Sequence, residues 1–386
     1  MYDSPAAWRC LLHMLSMGWD PCLPEPAAPI PWPEVMMLAE RHEVTHLLHL
    51  PACRIGTTVP ENVSASLRKA YLAVGALNSR RFSELRAVQE ALLPLKVPIL
   101  LLKGAALAET LYQNLALRSM GDLDLAVPID RVAECGAALV ARGYRPHAIE
   151  ERPGSHLLHR GQQAYLPPPL FRSPVGLHWH PIDLPYYLQR IPTDWCWNNT
   201  GSHQVHGLPV LMLTGGANFL YLSAHLALHH RLQGLPWLVD LAWLVRMEGD
   251  RVPWASIVRQ ASEFDLLLAL RATLEKLAAL WPSLPLAEPL AILSTALPSA
   301  SEERIFRLVI AEPRTPFLDF ATDIVGLPDL RSRARFVLAN TFPQRSYMRH
   351  RYPAGPGWLL PFWYAYRLGD GAGKSLRTLG QLLRMR

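Results

Sequence analysis

The chain has 386 residues, 50% of them hydrophobic, and a formal net charge of +6, enough apolar content for a large core and a prior of two or three domains. Its five cysteines (Cys10, Cys22, Cys53, Cys135, Cys196) are odd in number and never spaced as CxxC, which argues against a disulfide framework or a zinc site and fits thiols in a reducing cytoplasm. The opening Met-Tyr-Asp-Ser-Pro lacks a secretory pattern, and the longest apolar stretch, Leu92 to Leu107, is broken by Lys96, Lys103 and two prolines, so a soluble cytoplasmic protein without a transmembrane segment is expected.

Residues 1–93 read as a helical region. Pro21 to Pro33 is a turn-rich connector, and helical spacing follows in Trp32–Leu50 and Ser64–Leu93. Residues 94–205 change character: a strand at Val97–Leu102, a glycine and an Ala/Leu-rich helix to Asn114, then a strand at Asp122–Val127. Pro128 opens a helix over Val132–Arg142 with Gly143 as its stop, and Tyr144–Ile149 and Val175–Trp179 are further strand candidates. This alternation predicts a small α/β unit. Residues 206–330 return to helix, at Leu211–His230, Leu235–Met247, Val252–Ala279 and Ser301–Ile310. Residues 331–386 form a basic, aromatic-rich tail expected to pack on the body. It carries eleven Lys or Arg (331, 333, 335, 345, 349, 351, 367, 374, 377, 384, 386) against one acid, Asp370. Such a field attracts anions, nucleic acid or an acidic peptide. Its aromatics, among them Tyr347, Tyr352, Trp358, Phe362 and Tyr366, either stack on bases or pack the segment down, and nucleic acid is not the expected partner.

The chemistry concentrates in Arg118-Ser-Met-Gly-Asp-Leu-Asp-Leu-Ala-Val127. In a strand, Asp122 and Asp124 share a face roughly 6–7 Å apart while Leu123 and Leu125 point to the other. Two carboxylates on one face need a cation or solvent to offset their repulsion, which suits a divalent metal beside nucleotide phosphates. Upstream, Lys103-Gly104 sits at a strand-to-helix junction, where glycine permits a tight turn and helix amides can meet phosphate. The segment fails the P-loop spacing and lacks a dinucleotide fingerprint. His178 and His180 share a strand face by period two but have no third ligand at zinc spacing. His225 and His229 stack on one helical face without a metalloprotease glutamate between them.

Leu-Lys-Gly, a helix, and Arg-x-x-Gly-Asp-Leu-Asp-Leu, followed by Gly176-Leu-His-Trp179, His225, His229, His230 and Trp237-Leu-Val-Asp240, resemble an uncharacterised nucleotidyltransferase family of the DNA-polymerase-β-like superfamily, over roughly residues 35 to 250. The resemblance implies an α+β fold, a nucleotidyltransferase α/β core flanked by helical regions, the 206–330 region binding substrate. It implies an NTP, ATP first, with Mg²⁺ on Asp122 and Asp124. Lys103, Gly104, Arg118, Ser119 and Gly121 would hold the nucleotide, and His178, His180, His225, His229 and Asp240 would serve the acceptor or support the site. The family's third carboxylate falls on Gly176, and Asp183, seven residues on, or Asp240 are the candidates to replace it. The expected activity moves a nucleoside monophosphate to a small-molecule or peptide acceptor in a biosynthetic pathway. The alternatives are a kinase-like phosphoryl transferase and a catalytically degenerate nucleotide- or peptide-binding protein.

Overall fold

The apolar runs of the middle third become one seven-stranded sheet, and amphipathic segments before and after it become helices. The computed structural model describes residues 4–171, 173–205, 207–353, 357–370 and 373. Before the sheet come α1 (Pro5–Trp19), α2 (Trp32–Arg41), α3 (His49–Ile55) and the long α4 (Glu61–Leu92). Within the sheet region lie α5 (Lys103–Leu107), α6 (Val132–Ala141), α7 (Ser155–His159) and α8 (Trp195–Asn198). After it come α9 (Gly215–Leu228), α10 (Leu235–Glu248), α11 (Trp254–Glu263), α12 (Leu267–Leu280) and α13 (Ala287–Thr295). The last are α14 (Ala300–Ile310), α15 (Pro316–Gly326), α16 (Leu330–Thr341) and α17 (Arg345–Arg351). Side-chain caps start several of these, for example Ser4 on the amide of Ala7 at α1 and Asp329 on that of Ser332 at α16. No described helix is long and apolar enough to cross a membrane.

The strands are β1 (Leu100–Leu101), β2 (Leu123–Ala126), β3 (Arg145–Pro146), β4 (Gln162–Leu166), β5 (Val175–His178), β6 (Thr200–Val205) and β7 (Leu208–Leu213), in the order β3-β4-β5-β2-β1-β7-β6. β2 is parallel to β5 and antiparallel to β1, and β1 is parallel to β7. Every position of β2 and β5 is buried, as expected of strands covered on both faces. Alternation sorts the side chains by face. Leu101, Leu123 and Leu125 join Phe82 and Leu85 of α4 and Leu139 of α6 in one core. Leu100, Leu102 and Ala126 join a larger core shared with α9, α10 and α12. Asp122 and Asp124 are in step with Ala126, so they face the α9–α10 side.

The fold class is the expected α+β one, with corrections in detail. Leu211–His230 is not one helix: β7 runs to Leu213 and α9 begins at Gly215. Val210–Leu213 is a short apolar run that fits a buried strand as well as a helix, and β7 is claimed by pairing with β1. Val252–Ala279 is interrupted at Phe264–Leu266, where Asp265 has a φ of +57°. The expected strand Val97–Leu102 narrows to two paired residues, Tyr144–Ile149 to Arg145–Pro146, and the strand Val175–Trp179 ends at His178. The half-polar strands β4 and β6 carry no apolar run to announce them. Past Pro343, where proline, glycine and aromatics mask any period, the chain forms α17 and a helical stretch within 357–370. Lys374, Arg377, Arg384 and Arg386 of the basic tail lie outside the described residues.

Candidate active site

Asp124 sits mid-strand on β2, directly paired with Gly176 of β5. Lys103 Nζ donates to its Oδ1 at 3.0 Å and His178 Nε2 donates to the same oxygen at 2.6 Å. Burial works to raise this carboxyl, but the Lys103 charge and the His178 hydrogen bond outweigh it and hold Asp124 well below the usual carboxylate range. Asp122, at the mouth, is exposed to solvent within a recess. The surrounding protein mass, and then the charge of Asp124, push its carboxyl above the ordinary aspartate value. The two aspartates are therefore unlike: one is pinned and ionised, the other is open and more basic.

Lys103 reaches Asp124 because its backbone is left-handed, with φ of +51°, an uncommon state for a residue with a Cβ and one concentrated at functional positions. Gly104 follows because space forbids anything larger: a Cβ there would stand 2.8 Å from Met120 Cγ. Gly176 is tighter. A Cβ at that position would lie 2.6 Å from Asp124 Oδ1 and 3.1 Å from His178 Nε2. An aspartate cannot be placed at 176 without moving the groups that hold Asp124.

The remaining candidate residues divide. Arg118 is buried, donating from Nε to Asp240 Oδ2 at 2.9 Å with Nη2 2.8 Å from the same oxygen in an ion pair, and its guanidinium lies 4.7 Å above the Trp237 ring. Tyr112 donates to the other Asp240 oxygen at 2.7 Å. Asp240 is thus engaged in holding Arg118. Asn78 of α4 donates to the carbonyls of Leu115 and Arg118, each at 2.6 Å, which fixes the loop leading to Ser119 and Gly121. β5 ends at His178, and His180 beyond it is engaged by backbone, its ring nitrogens meeting the carbonyls of Ile182 and Ile191. Asp183 accepts the Gly161 amide at 2.6 Å. His225 and His230 are joined Nε2 to Nε2 at 3.1 Å, and His225 lies 4.9 Å from the His229 ring. Burial, then the Lys103 charge, drive His229 down to about 3 and His225 well below the ordinary histidine value, so both are neutral.

Two cavities meet at the aspartate pair. The larger, about 590 Å³, is lined by Lys103, Gly104, Arg118, Ser119, Gly121 and both aspartates, and closed by Thr45, His46, Ala70, Val74 and Trp237. The smaller, about 310 Å³, is lined by the same aspartates with Gly176, Asp183, Gln162, Gln163, His147, His156 and Arg160. The helical wall of the larger cavity and the β4 wall of the smaller were not singled out in the sequence. Small residues four apart on a helix, Ala70 and Val74, are the only local signal for the first, and β4 offers none. Among the described residues no group of three or more His, Cys, Asp or Glu is arranged to hold a metal ion.

A family model described as an uncharacterised nucleotidyltransferase matches residues 28–282. The chain belongs to this family, within the polymerase-β-like superfamily. No curated protein matches the chain.

Proposed function

We propose that this family member moves a nucleoside monophosphate from an NTP, ATP first, to a hydroxyl or phosphate on a small-molecule or peptide acceptor in a biosynthetic pathway. The observation that carries this reading is the Asp122–Asp124 pair set between two cavities, the larger lined by Lys103 and a glycine-bearing loop. The donors suit magnesium, being hard carboxylate oxygens of which one is held ionised. Mg²⁺ is commonly held by one or two carboxylates with phosphates and water completing its shell, so Asp122 and Asp124 suffice for one ion. When bound, such an ion supplies charge neutralisation at the transferring phosphoryl group and the departing pyrophosphate.

The chain's own groups do the positioning. Lys103, Ser119 and the amides at Gly104 and Gly121 bind the triphosphate from the larger cavity. Arg118, locked by Asp240, keeps the Ser119–Gly121 loop in place rather than touching phosphate. The acceptor enters the smaller cavity against Gln162 and Gln163, and Asp183 orients its hydroxyl. His178 and Lys103 hold Asp124 in one rotamer, and neutral His225 and His229 cover the site without adding a charge. Rate enhancement comes from alignment and preset electrostatics.

One observation favours a second reading, nucleotide binding without turnover: the strand position paired with Asp124 is Gly176, the place where the family resemblance would put a third carboxylate. Pyrophosphate release from each NTP with Mg²⁺ and a panel of acceptors tests both. Release that Asp122→Asn abolishes supports transfer. Mg²⁺-dependent binding with no release of pyrophosphate, nucleoside diphosphate or orthophosphate supports the second reading, and nucleoside diphosphate release marks attack at the terminal phosphorus instead.

A further inference from the structure

The region from Leu330 onward concentrates two features that the nucleotide site does not use. The first is bare apolar surface. α16 and the residue after it leave Leu330, Leu338 and Phe342 exposed, and the stretch 357–370 leaves Trp358, Phe362 and Tyr366 exposed at 76%, 58% and 51%. Phe362 and Tyr366, four apart, lie along one side of the helix over 360–370, and Trp358 sits in the 3₁₀ turn Gly357–Leu359 that leads into it. The other side is fastened to the body. Trp363 stacks on Tyr352 with ring centres 5.1 Å apart and planes at 8°, and Arg367 donates to the Asn340 carbonyl at 3.0 Å. A helix fixed along one flank and open along the other is a surface element with an uncovered face.

The second feature is charge. Arg345, Arg349 and Arg351 of α17 are exposed, and Tyr352, the residue after them, lies against both Trp363 and Tyr366. The end of α17 is therefore beside the aromatic stripe. So basic a face repels a second copy of itself. Nucleic acid would use the arginines and stack on the aromatics but gains nothing from exposed Leu330 and Leu338. An anionic bilayer uses both features: Trp and Tyr settle at the headgroup level, and arginines meet lipid phosphates.

We infer that this face is a docking surface for an anionic membrane, on which the Trp358–Phe362–Tyr366 stripe lies in the interface plane without spanning it. The test is co-sedimentation of the full chain with phosphatidylcholine vesicles, with and without phosphatidylglycerol. Binding to the phosphatidylglycerol vesicles alone, weakened by salt, is the expected result. The triple variant Trp358→Ser, Phe362→Ser, Tyr366→Ser should partition at least about ten-fold less, and Arg345→Gln with Arg349→Gln should lose most of the salt-sensitive part. Circular dichroism and thermal melting show that these variants fold, and because none of the five substituted residues lines either cavity at the aspartate pair, nucleotide binding should be unchanged. No sedimentation with anionic vesicles, or equal sedimentation of the triple variant, overturns the inference. So does tighter binding to single-stranded nucleic acid than to vesicles, or a wild-type dimer that the triple variant dissolves.

Discussion

At Asp240 both oxygens are satisfied: Arg118 takes one, Tyr112 the other, and Trp237 covers the guanidinium. Some residues away on the same side of the sheet, Asp124 is held by Lys103 and His178, but Asp122 stands beside it above its ordinary pKa, open to two cavities. The same residue types make both assemblies. A closed ion pair has no remaining valence for a ligand, so its worth is positional, and breaking one side leaves a buried charge. An open carboxylate carries repulsion that a cation would relieve, and this is how a site costs stability in exchange for chemistry.

The contrast breaks most sharply at Asp122. Asp122→Asn should lower NTP turnover on the order of a thousand-fold, while Tm holds or rises because the repulsion on Asp124 is gone. A fall in Tm matching the loss of turnover would place Asp122 in the structural class instead. Arg118→Met should do the reverse, losing about 3–5 kcal/mol in denaturant melts because Asp240 is left buried and unpaired. Adding Asp240→Leu should restore most of that loss. Equal stability of single and double variants would show that the pair is not coupled.

Gly176 comes next. Placing a third carboxylate beside the pair with Gly176→Asp should cost about 1–3 kcal/mol and leave turnover low, because the Cβ meets Asp124 Oδ1 at 2.6 Å and the new charge adds to two others. A gain in turnover at unchanged stability would mean that the β2–β5 pair can relax around a third acid.

The smallest effect sharpens the comparison away from the site. Glu302 is buried, accepts the Leu268 amide at 2.5 Å, and burial pushes its carboxyl from 4.5 up to about 7. The folded state thus binds the proton more tightly than the unfolded one, and this stabilisation is full below pH 4.5 and is lost as pH rises toward 7. Glu302→Gln should flatten that decline and raise Tm at pH 8 relative to wild type, read by calorimetry across pH. Glu302 also shows that an underpaired carboxylate alone does not make a site; Asp122 has cavities, a cation and a second acid beside it.

The divide between these regions explains what the sequence could disclose. Asp122 and Asp124 were legible because strand period and flanking leucines are local, as was the glycine at the β1–α5 junction. The Arg118–Asp240 bond joins residues 122 apart, and nothing local distinguishes an arginine aimed at phosphate from one locked into a helix. The partners of His180 were hidden for a similar reason: its ring meets the carbonyls of Ile182 and Ile191, past the end of β5, and nothing local announces them. The β4 wall of the smaller cavity is a half-exposed strand with mixed polarity, so no burial pattern marked it. β7 looked like the start of α9 because central strands, covered on both faces, lack the alternation that would separate them from helix.

The most direct measurement of the central claim is calorimetric titration of ATP into the wild type and Asp122→Asn, each with and without Mg²⁺. The aspartate-pair account predicts that wild type binds ATP tightly only with Mg²⁺, and that the variant, still folded, loses the Mg²⁺-dependent increment. An unchanged Mg²⁺-dependent affinity in Asp122→Asn would contradict it.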